Sequence, residues 1–200
     1  DTESVSDVKL FAPGEEDKQM ELLGMSPMDI RDSGVHLSFV PEDRLGMGLV
    51  GTMGMTDNMM LKSYGEGRSP LVDHRAPREL AEKIRKELGV VTPGLNTPVS
   101  RLSGGNVQKV LVGRELAASP IVLMTAYAVR GLDINTSYTI YNLLNEQKEN
   151  GVAVIYVGED LDVLLELCDR ILVLCGGKAR GMLDARPPTK EEVGLRMTTL

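Results

Sequence analysis

The chain is 200 residues long, 42% apolar and 26% charged, with a formal net charge of −7 and no Trp. That length suffices for one medium domain, or a core with a small subdomain, built on Leu, Val, Ile and Met. The acidic balance argues against a general nucleic-acid binder, which needs a basic face to displace counterions. No apolar run reaches the ~18–20 residues of a membrane span, and no signal-peptide pattern opens the chain.

Residues 1–19 are acidic, lack periodicity over their first seventeen positions, and read as a loosely ordered N-terminal segment. Met20–Leu23 reads as a short strand stopped by Gly24. A short helix follows, with Ser26 as N-cap, Pro27 at the first helical position and Gly34 as the stop. Val35–Val40 is an expected strand ended by Pro41. From Arg44 to Thr56 the chain is rich in Gly and Met, and Asp57–Tyr64 is an expected helix. Gly65–Pro70 is a loop. "APRELAEKIRKELG" is helical, because Leu80, Ala81, Ile84 and Leu88 share one face and Gly89 closes it.

"VTPGLNTPVSRLSGG" is an extended loop, and a helix is expected from about Asn106 to Ala117. "IVLMTAYAV" is an apolar run of the length of a buried parallel strand. Asn135–Asn150 reads as a helix and "VAVIYV" as another buried strand. Leu161–Leu167 is a short helix, "RILVL" a strand, and Gly176-Gly177 a hairpin turn into "KARGMLD". Alternating helices and strands in the second half predict a parallel α/β sheet, with a helical insertion near residues 56–115. Cys168 and Cys175 suit a reducing compartment and read as two buried apolar thiols, and His36 and His74 read as structural.

The stretch with most chemistry is Leu102-Ser103-Gly104-Gly105-Asn106, which ends a loop and opens a helix. The first amides of a helix lack internal acceptors, and its macrodipole adds roughly half a positive charge there. Two glycines let the backbone approach an oxygen, Ser103 adds a hydroxyl, and Gln108 and Lys109 follow in the same turn. A plain Ser N-cap with a glycine bend is the alternative reading of these residues alone. Their context is "LSGGNVQ", a helix, an apolar strand, then Gly131-Leu132-Asp133. That order resembles the ATP-binding cassettes of ABC proteins. "FVPEDRLGMGLV" and "RLSGGNVQKVLVGREL" resemble the second cassette of the tandem-cassette ATP-binding subunits of bacterial importers for simple sugars and nucleosides.

The resemblance implies an α/β, P-loop-NTPase-like cassette over residues 20–200. Its roles carry over by position. Ser103, Gly104 and Gly105, with Gln108, would form the signature loop that contacts the γ-phosphate across a cassette interface. Asp133 would belong to the loop that joins the two cassettes, and Glu42 stands where most cassettes carry a nucleotide-sensing glutamine. ATP and Mg would act in the assembled subunit, with none bound tightly by this chain. The implied partners are the N-terminal cassette of the same subunit, transmembrane permease subunits and, indirectly, a solute-binding protein, without nucleic acid. The implied location is cytoplasmic, peripheral on the inner face of the membrane.

The departures matter equally. No G-x-x-x-x-G-K-[ST] string occurs, so the sequence reads as a cassette truncated ahead of its phosphate loop. Where the family carries a Mg-ordering Asp and a catalytic Glu stand Ala126 and Tyr127, and Glu159 stands in place of the switch histidine. Neither Ala126 nor Tyr127 orders a cation or polarises water. Glu159 and Asp160 are either a substitute acid pair or a solvated helix start. The Met-rich stretch (Met47, Met53, Met55, Met59, Met60) is either gap-filling or an adaptable groove for a membrane subunit. The leading reading is a degenerate half that completes its partner's site. A fragment of a soluble ATPase acting on nucleic acid, and a protein-only regulatory module, are the alternatives.

Overall fold

The computed structural model describes residues 9–12, 15–63, 73–184 and 190–198. The chain divides into two units, residues 1–37 and 38–200. In the first, β1 (Lys9–Ala12) pairs antiparallel with β2 (Glu15–Glu21), Lys9 opposite Glu21 and Phe11 opposite Gln19. Residues 9–12 and 15–19, within the segment expected to be loosely ordered, lie in these strands, and β2 runs on to Glu21, into the expected Met20–Leu23 strand. Backbone pairing in a local hairpin satisfies N–H and C=O groups whatever the side chains, so a polar run such as "EEDKQME" carries no alternating signal. α1 (Pro27–Asp32) forms as expected. Ser26 Oγ accepts from Asp29 N at 3.2 Å while Asp29 Oδ2 accepts from Ser26 N at 3.3 Å, a reciprocal cap.

The second unit holds, from Ser38 onward, a three-stranded sheet in the order β3 (Leu37–Val40), β4 (Val122–Ala126), β5 (Ala153–Val157). β4 and β5 run parallel, with Val122 beside Ala153 and Ala126 beside Val157. A separate antiparallel pair, β6 (Arg170–Cys175) and β7 (Lys178–Asp184), turns at Gly176 and Gly177, whose φ values of +60° and +73° suit the two central positions of a hairpin. The parallel arrangement expected for the second half therefore holds for β4 and β5 and gives way to a hairpin after them.

The apolar run read as a strand to Val129 stops at Ala126, because Tyr127 adopts φ +50° and the chain turns. β5 is not the buried strand expected. It is one of the two edge strands of its sheet, Ile155 is 50% exposed, and its residues line a groove of 580 Å³ shared with Leu164, Leu172 and Met182. An apolar run reports hydrophobicity, whereas burial depends on which neighbour covers each face.

The helices of this unit are α2 (Met55–Ser63), α3 (Arg75–Glu87), α4 (Gly104–Ala117), α5 (Ile134–Glu149), α6 (Leu161–Leu167) and α7 (Lys190–Thr198). α2 starts two residues ahead of the expected Asp57. Tyr64 and the loop 65–70 lie outside the described residues. α7 carried no sequence expectation; its Val193 packs on Ile171 and Val173 of β6. Both cysteines are partly exposed rather than buried, and Cys175 Sγ donates to Met197 O at 3.0 Å. α3 turns Ala81 and Ile84 inward, and Gly113 of α4 allows close approach. A Cβ there would stand 2.6 Å from Ile84 Cγ2. Met55 and Met59 fill the core at 0% and 1% exposure, whereas Met47 is 72% exposed. The loop before α4 is zipped to the Gly/Met stretch. Met55 N donates to Leu95 O at 2.7 Å and Val99 N to Met53 O at 2.9 Å. Gly54 is required there, since a Cβ would fall 2.5 Å from Leu95 O.

Eight consecutive or near-consecutive residues of α4, Val107, Gln108 and Val110–Glu115, are buried. Two of them are charged. Glu115 Oε1 accepts from Arg114 Nε and NH2 at 3.0 and 2.8 Å, and Oε2 accepts from Lys62 Nζ at 2.8 Å and Phe39 N at 3.3 Å. Arg114 NH2 also donates to Gly48 O at 2.6 Å, and Ser38 Oγ to Glu115 O at 2.8 Å. Removing one member of a buried charged cluster strands its partners without a counter-charge. Glu115→Ala is expected to lower the unfolding free energy by about 3–5 kcal/mol, read as a shifted urea midpoint by circular dichroism. Glu82→Ala, which breaks a solvent-facing pair with Arg85, is expected to leave the midpoint nearly in place.

Candidate functional site

Ser103 is the N-cap of α4, with φ −64° and ψ 155°, and it makes no side-chain bond to the helix backbone. Its Oγ instead accepts from Asn106 Nδ2 at 2.9 Å, while Asn106 Oδ1 accepts from Val91 N at 2.9 Å. Asn106 thus ties the loop to the segment after α3. The backbone amides of Gly104, Gly105 and Asn106 have no intrahelical acceptor by the geometry of a helix start. Ser103 and Gly104 are exposed and Gly105 half-buried. The Ser103 hydroxyl, already serving as acceptor for Asn106, has its own proton to donate outward. The combination suits a phosphate-type oxygen.

Asp133 stands beside this loop. A Cβ on Gly105 would lie 3.6 Å from Asp133 Oδ2 and 3.2 Å from Thr136 Oγ1. Asp133 caps α5: Oδ1 accepts from Thr136 N at 3.0 Å and Oδ2 from Thr136 Oγ1 at 2.7 Å. The Thr136 hydroxyl, then its backbone N–H, hold the Asp133 carboxyl below the usual carboxylate range. The structure thereby brings Gly105 and Asp133 together.

Gln108 sits elsewhere than expected for a ligand-contacting residue. It is 0% exposed, its Oε1 accepts from Arg44 Nε at 2.7 Å, and it supports the loop from beneath. Gln108 lies on the same helix face as Gly104 but one turn further in, where Arg44 covers that face. Glu42 is exposed and bound by Arg130 NH1 at 2.6 Å. Arg130 also lies over the Tyr127 ring, 5.7 Å from its centroid.

Ala126, Tyr127 and Glu159 share the C-terminal edge of the sheet, because Ala126 is paired with Val157 and Tyr127 N donates to Val157 O at 2.9 Å. Glu159 is exposed. Asp160 caps α6, its Oδ1 accepting from Asp162 N and Val163 N at 3.0 and 3.4 Å. This is the geometry of a helix start, so the pair Glu159–Asp160 does not act as two free acids. Among the described residues no group of three His, Cys, Asp or Glu is placed to hold a metal ion. A Mg²⁺ site on this chain's own side chains does not fit Ala126 and Tyr127.

Arg44, Arg130 and Thr136 escaped the sequence reading, as did the bridging role of Asn106. For Asn106 and Thr136 a signal existed, since each stands three residues after a capping Ser103 or Asp133, the spacing of a reciprocal cap. The two arginines act across long separations in sequence and left no local signature.

The fold has counterparts among solved structures. A dimeric ATP-binding cassette in a post-hydrolysis state, bound to ADP and Pi, superposes with a TM-score of 0.69 over 84% of this chain and 71% of that chain, at 21% identity. A dimeric bacterial ABC transporter cassette matches with a TM-score of 0.69 over 89% of this chain and 73% of that chain, at 20% identity. The fold is that of an ATP-binding cassette. No family model matches the chain. The cassette is 35% identical over 196 residues to the xylose import ATP-binding protein XylG of Moorella thermoacetica, covering 96% of this chain and 39% of the relative. It is 38% identical over 169 residues to the ribose import ATP-binding protein RbsA of Rhodopirellula baltica, covering 84% of this chain and 33% of the relative. Its homologues are thus ATP-binding subunits of sugar importers, and the chain spans well under half of their length. Among the described residues no helix is long and apolar enough to cross a membrane.

Asp133 titrates with a folded-state value below its unfolded one. Its capping bonds therefore add stability that is present above the ordinary Asp value, about 3.9, and is lost as pH falls through the depressed folded value. Thr136→Val deletes the hydroxyl donor and keeps the backbone one. The Asp133 carboxyl is expected to move part-way up toward its ordinary value, measured by carbon-detected NMR titration, and the acid limb of the stability profile to flatten.

Proposed function

We propose that this cassette supplies the signature half of an ATP site that it shares with a second cassette, in the ATP-binding subunit of a sugar or nucleoside importer. The observation that carries the reading is the Ser103–Gly105 loop at the start of α4, exposed at Ser103 and Gly104 and backed by Asp133, while Ala126 ends β4 and Tyr127 follows it. The loop offers backbone amides, a helix dipole and the Ser103 proton to a γ-phosphate oxygen. ATP, when bound, brings the triphosphate whose terminal bond is cleaved. This chain's residues orient that phosphate and exclude water from one side of it. The phosphate cradle, the Mg²⁺-ordering acid and the water-polarising acid come from the N-terminal cassette of the same subunit.

In this reading Glu42 senses the nucleotide, and the surface around the exposed Met47 meets a transmembrane permease subunit. The solute-binding protein acts indirectly through that permease. The subunit works in the cytoplasm, peripheral on the inner face of the membrane. The names of the xylose and ribose relatives, and the length over which they match, support sugar import as its setting.

By itself the chain is expected to hydrolyse ATP far more slowly than ~1 s⁻¹, the low end for ordinary enzymes, in a steady-state phosphate-release assay. Gly104→Asp in the full-length subunit is the sharper test. An acid in the first turn of a helix is favourable to the fold, so the melting temperature is expected to stay near wild type. A carboxylate placed against a γ-phosphate repels it by about several kcal/mol in a partly buried site. ATP hydrolysis and solute uptake are both expected to collapse. Ala126→Asp with Tyr127→Glu is expected to leave uptake unchanged. Intact uptake with Gly104→Asp sinks the proposal.

A further inference from the structure

We infer that Arg44 is a positioning residue that locks the Glu42 loop, the first turn of α4 and the turn after β4 into one body. The loop at Glu42 and the loop at Ser103–Gly105 then shift together and not independently. The functional meaning of this lock rests on the reading that Ser103–Gly105 receives a phosphate; the lock itself does not.

Arg44 opens a single π-type turn, in which Gly48 N reaches back to Asp43 O at 3.2 Å and Leu49 N to Arg44 O at 2.7 Å. Asp43 caps that turn by accepting from Gly46 N at 2.8 Å. From this base the guanidinium spends its donors in two directions. Nε donates to Gln108 Oε1 at 2.7 Å, and NH2 donates to Arg130 O at 2.5 Å. The third nitrogen, NH1, stands 3.4 Å from where a Cβ on Gly104 would be. Arg130 closes the circuit by returning its own NH1 to Glu42 Oε1 at 2.6 Å. Two arginines thus cross, each holding the segment from which the other comes.

The acceptor end is held rigidly. Gln108 is 0% exposed, and its Nε2 has no hydrogen-bond partner among the described residues. Rotating the amide would bring NH₂ against the Arg44 Nε–H, donor against donor, so the orientation is determined by the guanidinium. A buried amide nitrogen is left unpartnered because the oxygen's charge-assisted bond outweighs it. A lysine ammonium is a point donor on a flexible stem and does not reproduce a planar fork aimed at two separate acceptors. The turn being held is also strained. Tyr127 adopts φ +50°, a region that a bulky side chain occupies only when its surroundings impose it.

The test uses amide hydrogen exchange on the 200-residue chain and ATP hydrolysis by the assembled full-length transporter. In Arg44→Gln and Arg44→Lys, the amides of Val107, Arg130 and Leu132 are expected to exchange about tenfold faster. The α3 amides and the melting temperature are expected to stay unchanged. Gln108→Leu is expected to give the same local acceleration, and the Arg44→Gln, Gln108→Leu double variant no more than either alone. In the transporter, Arg44→Gln is expected to lower kcat about 10–100-fold with KM nearly unchanged, as for a misplaced contact made in the transition state. Unchanged exchange in Arg44→Gln, or additive effects in the double variant, overturns the lock. Accelerated exchange with normal hydrolysis upholds the lock and overturns the phosphate-receiving role of Ser103–Gly105.

Discussion

Glu115 carries a carboxylate that is 1% exposed, and a charge so placed must find its counter-charges and donors within the protein. It finds them on three elements: Arg114 beside it, Lys62 at the end of α2, and the backbone of Phe39 in β3. Arg114 extends the set to Gly48. Because every partner is needed, α4 has one allowed axial position and rotation against the sheet and the helical insert. A purely apolar seam tolerates sliding and re-packing at modest cost. Four hydrogen bonds into one carboxylate do not. The N-terminus of α4, three turns away, inherits that placement, and with it the direction in which Gly104 and Gly105 present their amides.

The site built on that helix end is asymmetric. One side offers an exposed Ser103 and Gly104, a half-buried Gly105, and a second helix start capped by Asp133 close by. The other side, the C-terminal edge of β4 and β5, is where cassette chemistry would require acids, and it carries Ala126, a strained Tyr127 and an exposed Glu159. Arg130 stacks over Tyr127 and bonds Glu42, so this edge carries a cation–aromatic contact and an ion pair. Such an edge orders the neighbouring turn, and the turn in turn positions Asp133 against Gly105. The non-acidic residues at the end of β4 and the glycine loop at the start of α4 thus share one packing arrangement.

What could be read from residues alone was whatever is encoded locally. Ser26-Pro27, the Leu80–Leu88 face and the Gly176-Gly177 turn each combine a steric rule with neighbours a few positions away, and all three formed where expected. The helix at Asn106 was read two residues late because glycines are poor helix formers in isolation, yet at the first turn they leave the amides accessible. The misplacements share another cause. β5 looked buried, Gln108 looked available to a ligand, and the cysteines looked sealed, because hydropathy and motif position say nothing about which neighbour arrives to cover a face.

By itself the sequence determined the class of fold and the order of helices and strands from α1 to β7, and it supplied the reading of Ser103–Gly105 as a phosphate-type loop with Ala126 and Tyr127 where a cassette would carry acids. These depend on residue identity and short-range geometry, which a linear string contains in full. Only the tertiary structure decided that Gln108 faces inward, that Gly105 lies against Asp133, and that Arg44 and Arg130 cross between segments 64 to 88 residues apart. A guanidinium can serve many acceptors, and sequence separation carries no record of which one lies within hydrogen-bond reach. That choice is made when α4 seats on its buried carboxylate and brings the distant partners to within 3 Å of one another.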